Sequence, residues 1–124
     1  MDPRVVDFVQ NVAQDIAGLE VALYFQDNPR TFDTAGGLAL LIRRDLGEMT
    51  SALERLTAAG ILEISPRDDG HYVCYSLSGD PRIWNLLCLL SEAYLDSTED
   101  RQAIIRLLVG RHRQPHPPQK DNSQ

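Results

Sequence analysis

The sequence predicts a mainly α-helical domain that carries one small β-hairpin. Three observations lead there. Behind a capping signal at Asp45, apolar residues recur at helical spacing as far as Leu56. Residues 61–77 read as two short strands around a polar turn. Apolar runs at helical period flank this centre on both sides, from Val5 to Phe25 and from Ile83 to Val109.

In chain order, Asp2-Pro3 places a capping carboxylate before proline at the first helical position. Val5, Val6, Phe8, Val9, Val12, Ala13 and Ile16 follow as an apolar face. Gly18 bends or breaks this run, so we expect one helix over 3–26 or two helices meeting between Asp15 and Gly18. Leu19, Ala22, Leu23 and Tyr24 or Phe25 point inward in the second half. Asp27-Asn28-Pro29 ends it, because the residue before proline avoids the α region. Thr31-Phe32-Asp33 reads as a short first strand and Thr34 as the cap of a helix over Ala35–Ile42. Gly36-Gly37 weakens that helix by roughly 1 kcal/mol per glycine, a cost usually tolerated where a neighbouring helix comes close.

Asp45 caps the next helix, with Glu48 three places on as its capping-box partner. Leu46, Met49, Leu53 and Leu56 form one stripe with Ala52 beside it, and Gly60 supplies the stop. Ile61–Ser65 is the first hairpin strand, and Pro66-Arg67-Asp68-Asp69-Gly70 has the chemistry of a turn. His71–Leu77 returns, with Val73, Tyr75 and Leu77 on one face and Tyr72, Cys74 and Ser76 on the other. Asp80-Pro81 repeats the cap-then-proline signal before the apolar helix that begins at Ile83. Ser97 and Asp100 open a last helix, which Gly110 should end.

Helix, turn, helix, hairpin is the order of a winged helix-turn-helix core, here with flanking N- and C-terminal helices. Leu53-Glu54-Arg55-Leu56-Thr57-Ala58-Ala59-Gly60-Ile61-Leu62-Glu63 resembles the end of the second motif helix in bacterial transcriptional regulators of the MarR and ArsR kind. The resemblance spans about residues 19–78 and lies at the level of the fold. We expect one domain over 1–110, with its core at about 19–78 and flanking helices at 3–17 and 80–110. The proline-rich tail 111–124 should be disordered.

What the resemblance implies is duplex DNA in contact with the second motif helix, whose N-terminal half would enter the major groove. With the apolar stripe inward, Ser51 and Arg55 are exposed and Thr50 lies at the margin, all three able to donate to bases or phosphates. Arg43 and Arg44 in the preceding turn are the best phosphate ligands, and Arg67 at the wing tip is a further one. The greasy C-terminal helices, with the N-terminal helix, ask for more partner surface than the core offers, so we expect a homodimer through them.

Composition pulls the other way. Residues 1–110 hold nine Arg, no Lys and seventeen Asp or Glu, a net −8, and the tail returns +2 to give −6. Phosphate binding needs a basic footprint, and none is evident here. An acidic winged helix also fits a protein–protein interaction module without DNA binding, as in winged domains of chromosome-partitioning and sorting complexes.

Other function classes find little support. No apolar run of about 18 residues exists, so no membrane span is expected. Cys74 and Cys88 form no Cys-x-x-Cys pair and read as thiols of a reducing, cytoplasmic compartment. His71 and Cys74 sit on opposite faces of a strand, and His112 and His116 fall in the tail, so no metal site is expected. No catalytic motif occurs and no cofactor is implied. Trp84, Tyr94, Tyr72 and Tyr75 either line a small-molecule pocket or fill core and interface.

Overall fold

A computed structural model describes residues 1–112, with side-chain environments as far as Gly110. Helix α1 (Pro3–Phe8) starts where Asp2 accepts from the Arg4 amide, and it runs straight into a π-helical turn over Val9–Ala13. Gln14 then turns left-handed, at φ 66°. Asp15 caps α2 (Ile16–Asp27) by accepting from the Gly18 amide at 2.8 Å. The N-terminal run is therefore broken at Gln14–Asp15, just ahead of Gly18. Gly18 instead permits a close approach. A Cβ there would lie 2.1 Å from the Ala13 carbonyl oxygen, so only glycine lets α2 abut the π turn.

Helix α2 packs against α3 (Ala35–Ile42), α4 (Leu46–Ala58), α5 (Pro81–Asp96) and the π turn. This explains why it is buried on most sides, at Ala17, Leu19, Val21, Ala22 and Phe25. Each remaining helix start has the expected cap. Thr34 accepts from Gly37 N, Asp45 from Glu48 N, and Asp80 from Arg82 N. Ser97 accepts from Asp100 N at the start of α6 (Thr98–His112). At the end of α4, Gly60 takes φ 81° and Ile61 N reaches Leu56 O at 2.9 Å, the bond of a glycine stop.

The sheet is antiparallel, in the order β1–β3–β2, built from β1 (Phe32–Asp33), β2 (Leu62–Arg67) and β3 (Tyr72–Leu77). Leu62 pairs with Leu77 and Arg67 with Tyr72, so Pro66 and Arg67 belong to the strand rather than to the turn. The reversal is made by Asp68 and Asp69 at φ 53° and 55°, followed by Gly70 at 86°. Three consecutive residues with positive φ, the last a glycine, reverse the chain within the four positions between Arg67 and Tyr72. Proline is accommodated in β2 because that strand lies at the sheet edge. Tyr75 belongs to the buried core, and Cys74, its neighbour on the other face of the strand, is buried too.

The architecture is thus mainly α with a small wing. Val5 and Phe8 of α1, Leu19 and Phe25 of α2, Leu38 of α3, Met49, Leu53 and Leu56 of α4, Leu87 and Leu90 of α5, and Ile104 and Leu108 of α6 share one buried cluster. Each such side chain contributes roughly 1.5–3 kcal/mol of burial. The outer helices thereby place much of their apolar surface inside the chain. Exposed on them remain Trp84, Leu95, Ile105 and Val109.

Two expectations need correction. Gly110 does not end α6, which continues to His112; of the expected tail, residues 113–124 lie outside the described residues. Leu46 is not part of the inward stripe: it is 55% exposed. At 100° per residue it sits at the edge of the arc spanned by Met49, Ala52, Leu53 and Leu56, in the first turn, where no neighbour covers it. Among the described residues, no helix is long and apolar enough to cross a membrane.

Candidate functional site

The six residues selected from the sequence do not act as one basic surface. Arg43, the C-cap of α3, is left-handed at φ 64° and exposed. Among the described residues it makes no side-chain hydrogen bond or ion pair. Arg44 points the other way: its Nε donates to Glu20 Oε1 at 2.7 Å, and its Nη1 lies 3.8 Å from Glu48 Oε1. The bond to Glu20, outweighing partial desolvation, raises its pKa further above the ordinary arginine value.

Arg55 is tied more firmly still. Its Nη2 donates to Asp15 Oδ1 at 2.7 Å and to the Ala13 carbonyl at 2.9 Å, and its Nη1 donates to Ser51 Oγ at 2.7 Å. The guanidinium therefore clamps α4 to the junction between the π turn and α2, and its side chain is only 20% exposed. Ser51 stays exposed while accepting from Arg55, and Thr50 is half-buried. Arg67 stands over the Phe32 ring with its guanidinium carbon 4.6 Å from the centroid, a cation–π contact that lays it across the sheet.

What α4 turns outward is acidic and small: Gly47, Glu48, Ser51, Glu54 and Ala58 are all exposed. Large apolar side chains stand in solvent on both sides of the turn that precedes it, a feature that the sequence pattern of charges does not single out. Leu40 is 82% exposed and Leu41 58% in α3, and Leu46 is 55% exposed in the first turn of α4. A signal for it exists, because Ala35–Ile42 contains no polar side chain at all. A surface helix of that composition must put leucine into solvent once Leu38 and Ala39 are buried.

A groove of about 840 Å³ runs between α1, the α4–β2 corner and the start of α5. Phe8, Val12, Ile61, Ile83 and Leu86 line it, with Arg4, Asp7, Asp80 and Arg82 also on its walls. Both Asp-Pro-Arg turns at its margin are closed ion pairs, Arg4–Asp2 at 2.8 Å and Arg82–Asp80 at 2.9 Å. The hydrogen bonds from Arg4 hold the Asp2 carboxyl down at about 2, and those from Arg82 lower Asp80 in the same way. Trp84, Tyr94, Tyr72 and Tyr75 are not among its lining residues. Tyr75 is buried, Tyr94 half-buried, and Trp84 and Tyr72 reach solvent. Among the described residues, no group of three His, Cys, Asp or Glu is placed to hold a metal ion. Compared with family models, with curated proteins and with solved structures, the chain matches none.

Proposed function

We propose that this chain is a protein–protein interaction module built on a winged helix-turn-helix scaffold of the MarR and ArsR type. The observation that carries this reading is the exposure of three leucines, Leu40 and Leu41 in α3 and Leu46 in the first turn of α4, on either side of the turn between the two helices. Large aliphatic side chains left in solvent mark a surface that gains by being covered. The charges beside them support the same reading. Arg44 and Arg55 are engaged with Glu20 and Asp15, while Glu48 and Glu54 face solvent on α4 and would repel phosphate.

The test pairs two variants in affinity capture from the source cell. Partners held by the wild type should be lost with Leu40→Asp/Leu41→Asp and kept with Arg43→Ala. The opposite pattern would overturn the reading.

A second reading, a dimeric DNA-binding regulator, is favoured by one specific observation: Arg43 stands exposed at the turn that delivers the capped start of α4. In that reading Thr50 and Ser51 approach the bases, Arg67 a neighbouring phosphate, and Trp84, Ile105 and Val109 cover one another across a homodimer. Duplex binding at low salt, falling steeply as salt rises and lost with Arg43→Ala, would establish it in place of the first.

A further inference from the structure

A smaller groove of about 390 Å³ lies at the C-terminal end of α3, where three helices finish together. Gln26, Asp27 and Asn28 come from the last turn and cap of α2, Ile42 is the final residue of α3, and Leu95 belongs to the last turn of α5. Leu23, Tyr24 and Ile42 are half-buried and form its apolar wall, and Leu95 beside them is 60% exposed. The walls also hold two carboxylates, Glu20 and Asp27, and no basic side chain.

The electrostatics of this spot follow from the backbone as well as from the side chains. A helix C-terminus carries unsatisfied carbonyls equivalent to roughly half a negative charge. Natural helices commonly offset this with Lys or Arg in the last turn. Helices α2 and α5 have no basic residue in the last turn or at the cap, whereas α3 is followed directly by Arg43 and Arg44. Helix α2 ends in Asp27 and α5 in Asp96, which deepens the negative potential. Of the cations nearby, Arg44 is held by Glu20, and Arg43 follows Ile42 as the α3 cap.

We infer that this groove docks a basic amphipathic helical segment of a partner protein, seating an aliphatic side chain on Leu95 and Tyr24 and placing Lys or Arg against Asp27 and the helix ends. This rests on the protein-docking reading above and adds the chemistry of the partner. Apolar floor and negative rim together select it: an acidic or neutral helix would gain the floor and lose to the rim.

The probe is a synthetic 14-residue amphipathic peptide of Leu and Lys, with a Leu/Glu peptide of the same pattern as control. Binding is followed through backbone amide shifts of the full chain. The Leu/Lys peptide should bind saturably and move the amides of Leu23, Tyr24, Ile42 and Leu95. The Leu/Glu peptide should leave them in place. Leu95→Asn and Asp27→Asn, both at exposed positions that leave the core intact, should each weaken binding about threefold or more. Shifts confined to Leu40, Leu41 and Leu46 would overturn the groove while leaving the protein-docking reading standing. Concentration-dependent shifts at Leu95 without peptide would make a second copy the occupant and overturn the basic partner. Silence at both surfaces, with salt-sensitive duplex binding, would overturn groove and reading together.

Discussion

Replacing Gly18 by alanine, with Gly36→Ala as its internal control, separates close packing from helix propensity. Both glycines lie in helices, where alanine gains roughly 0.5–1 kcal/mol. At Gly36 the new Cβ meets nothing nearer than Thr34 Oγ1 at 4.0 Å, so that gain should be realised in full. At Gly18 it would fall 2.1, 2.8 and 2.9 Å from the carbonyl oxygen, carbonyl carbon and Cα of Ala13. Carbon atoms rest at about 3.5 Å or more, and all three neighbours are backbone, so the helix start itself must move. Overpacking of this kind costs about 1–3 kcal/mol. Moving α2 away from the π turn also strains the Asp15 cap on Gly18 N, worth about 1 kcal/mol. Net of propensity, we expect Gly18→Ala to destabilise by about 2–3 kcal/mol, lowering the melting midpoint by roughly 10 °C or more. Gly36→Ala should raise stability. Urea unfolding followed by far-UV circular dichroism reads both, with unchanged m-values confirming the same transition. A Gly18→Ala protein as stable as wild type would refute the reasoning, and so would both variants moving in the same direction.

Three further predictions concern the ion pairs and the core. In a double-mutant cycle of Arg55→Met and Asp15→Asn, we expect a coupling of about 1–2 kcal/mol; additive effects would mean that the clamp on α4 contributes nothing. Asp2 has a folded-state pKa of about 2, below its ordinary 3.8, so its contribution to stability is present above pH 4 and lost as pH falls through about 2. The carboxyl carbon shift of Asp2 should therefore titrate near 2, and Arg4→Gln should move that midpoint up toward 3.8. Burial, and then the Glu54 charge, push the Tyr75 phenol above its ordinary 10.0, so its share of stability is full below pH 10 and declines above it. Absorbance titration of the four tyrosines should show one late component that Tyr75→Phe removes.

Much of the fold is written in short-range signals, and those are legible. Thr34, Asp45, Asp80 and Ser97 are capping residues whose bonds span two or three positions, and Gly60 stops α4 through its own φ. The pairing of β2 with β3 likewise needs only two apolar faces and a turn that admits positive φ. The π turn is not legible, because Val9–Ala13 has the composition of an ordinary apolar helix. The candidate site is harder to read for a definite reason. Arg55 looks like a surface cation on α4, but its partner Asp15 lies 40 positions away, a distance at which sequence pattern carries no information. Arg44 is lost to Glu20 for the same reason, at a separation of 24. Leu40 and Leu41 differ from both, since α3 has no polar side chain to turn toward solvent, whereas the exposure of Leu46 runs against its place in the α4 spacing.

The left-handed residue at Gln14 has a consequence for how the first helix reaches the core. Without it, residues 3–27 would continue as a single rod of about 37 Å, at 1.5 Å per residue. A rod of that length cannot bring Val5 and Phe8 back against α5 of its own chain. It would carry them away from α5 and leave that apolar side of the core without its cover. Rotation at one peptide unit thus decides whether the first helix closes the fold.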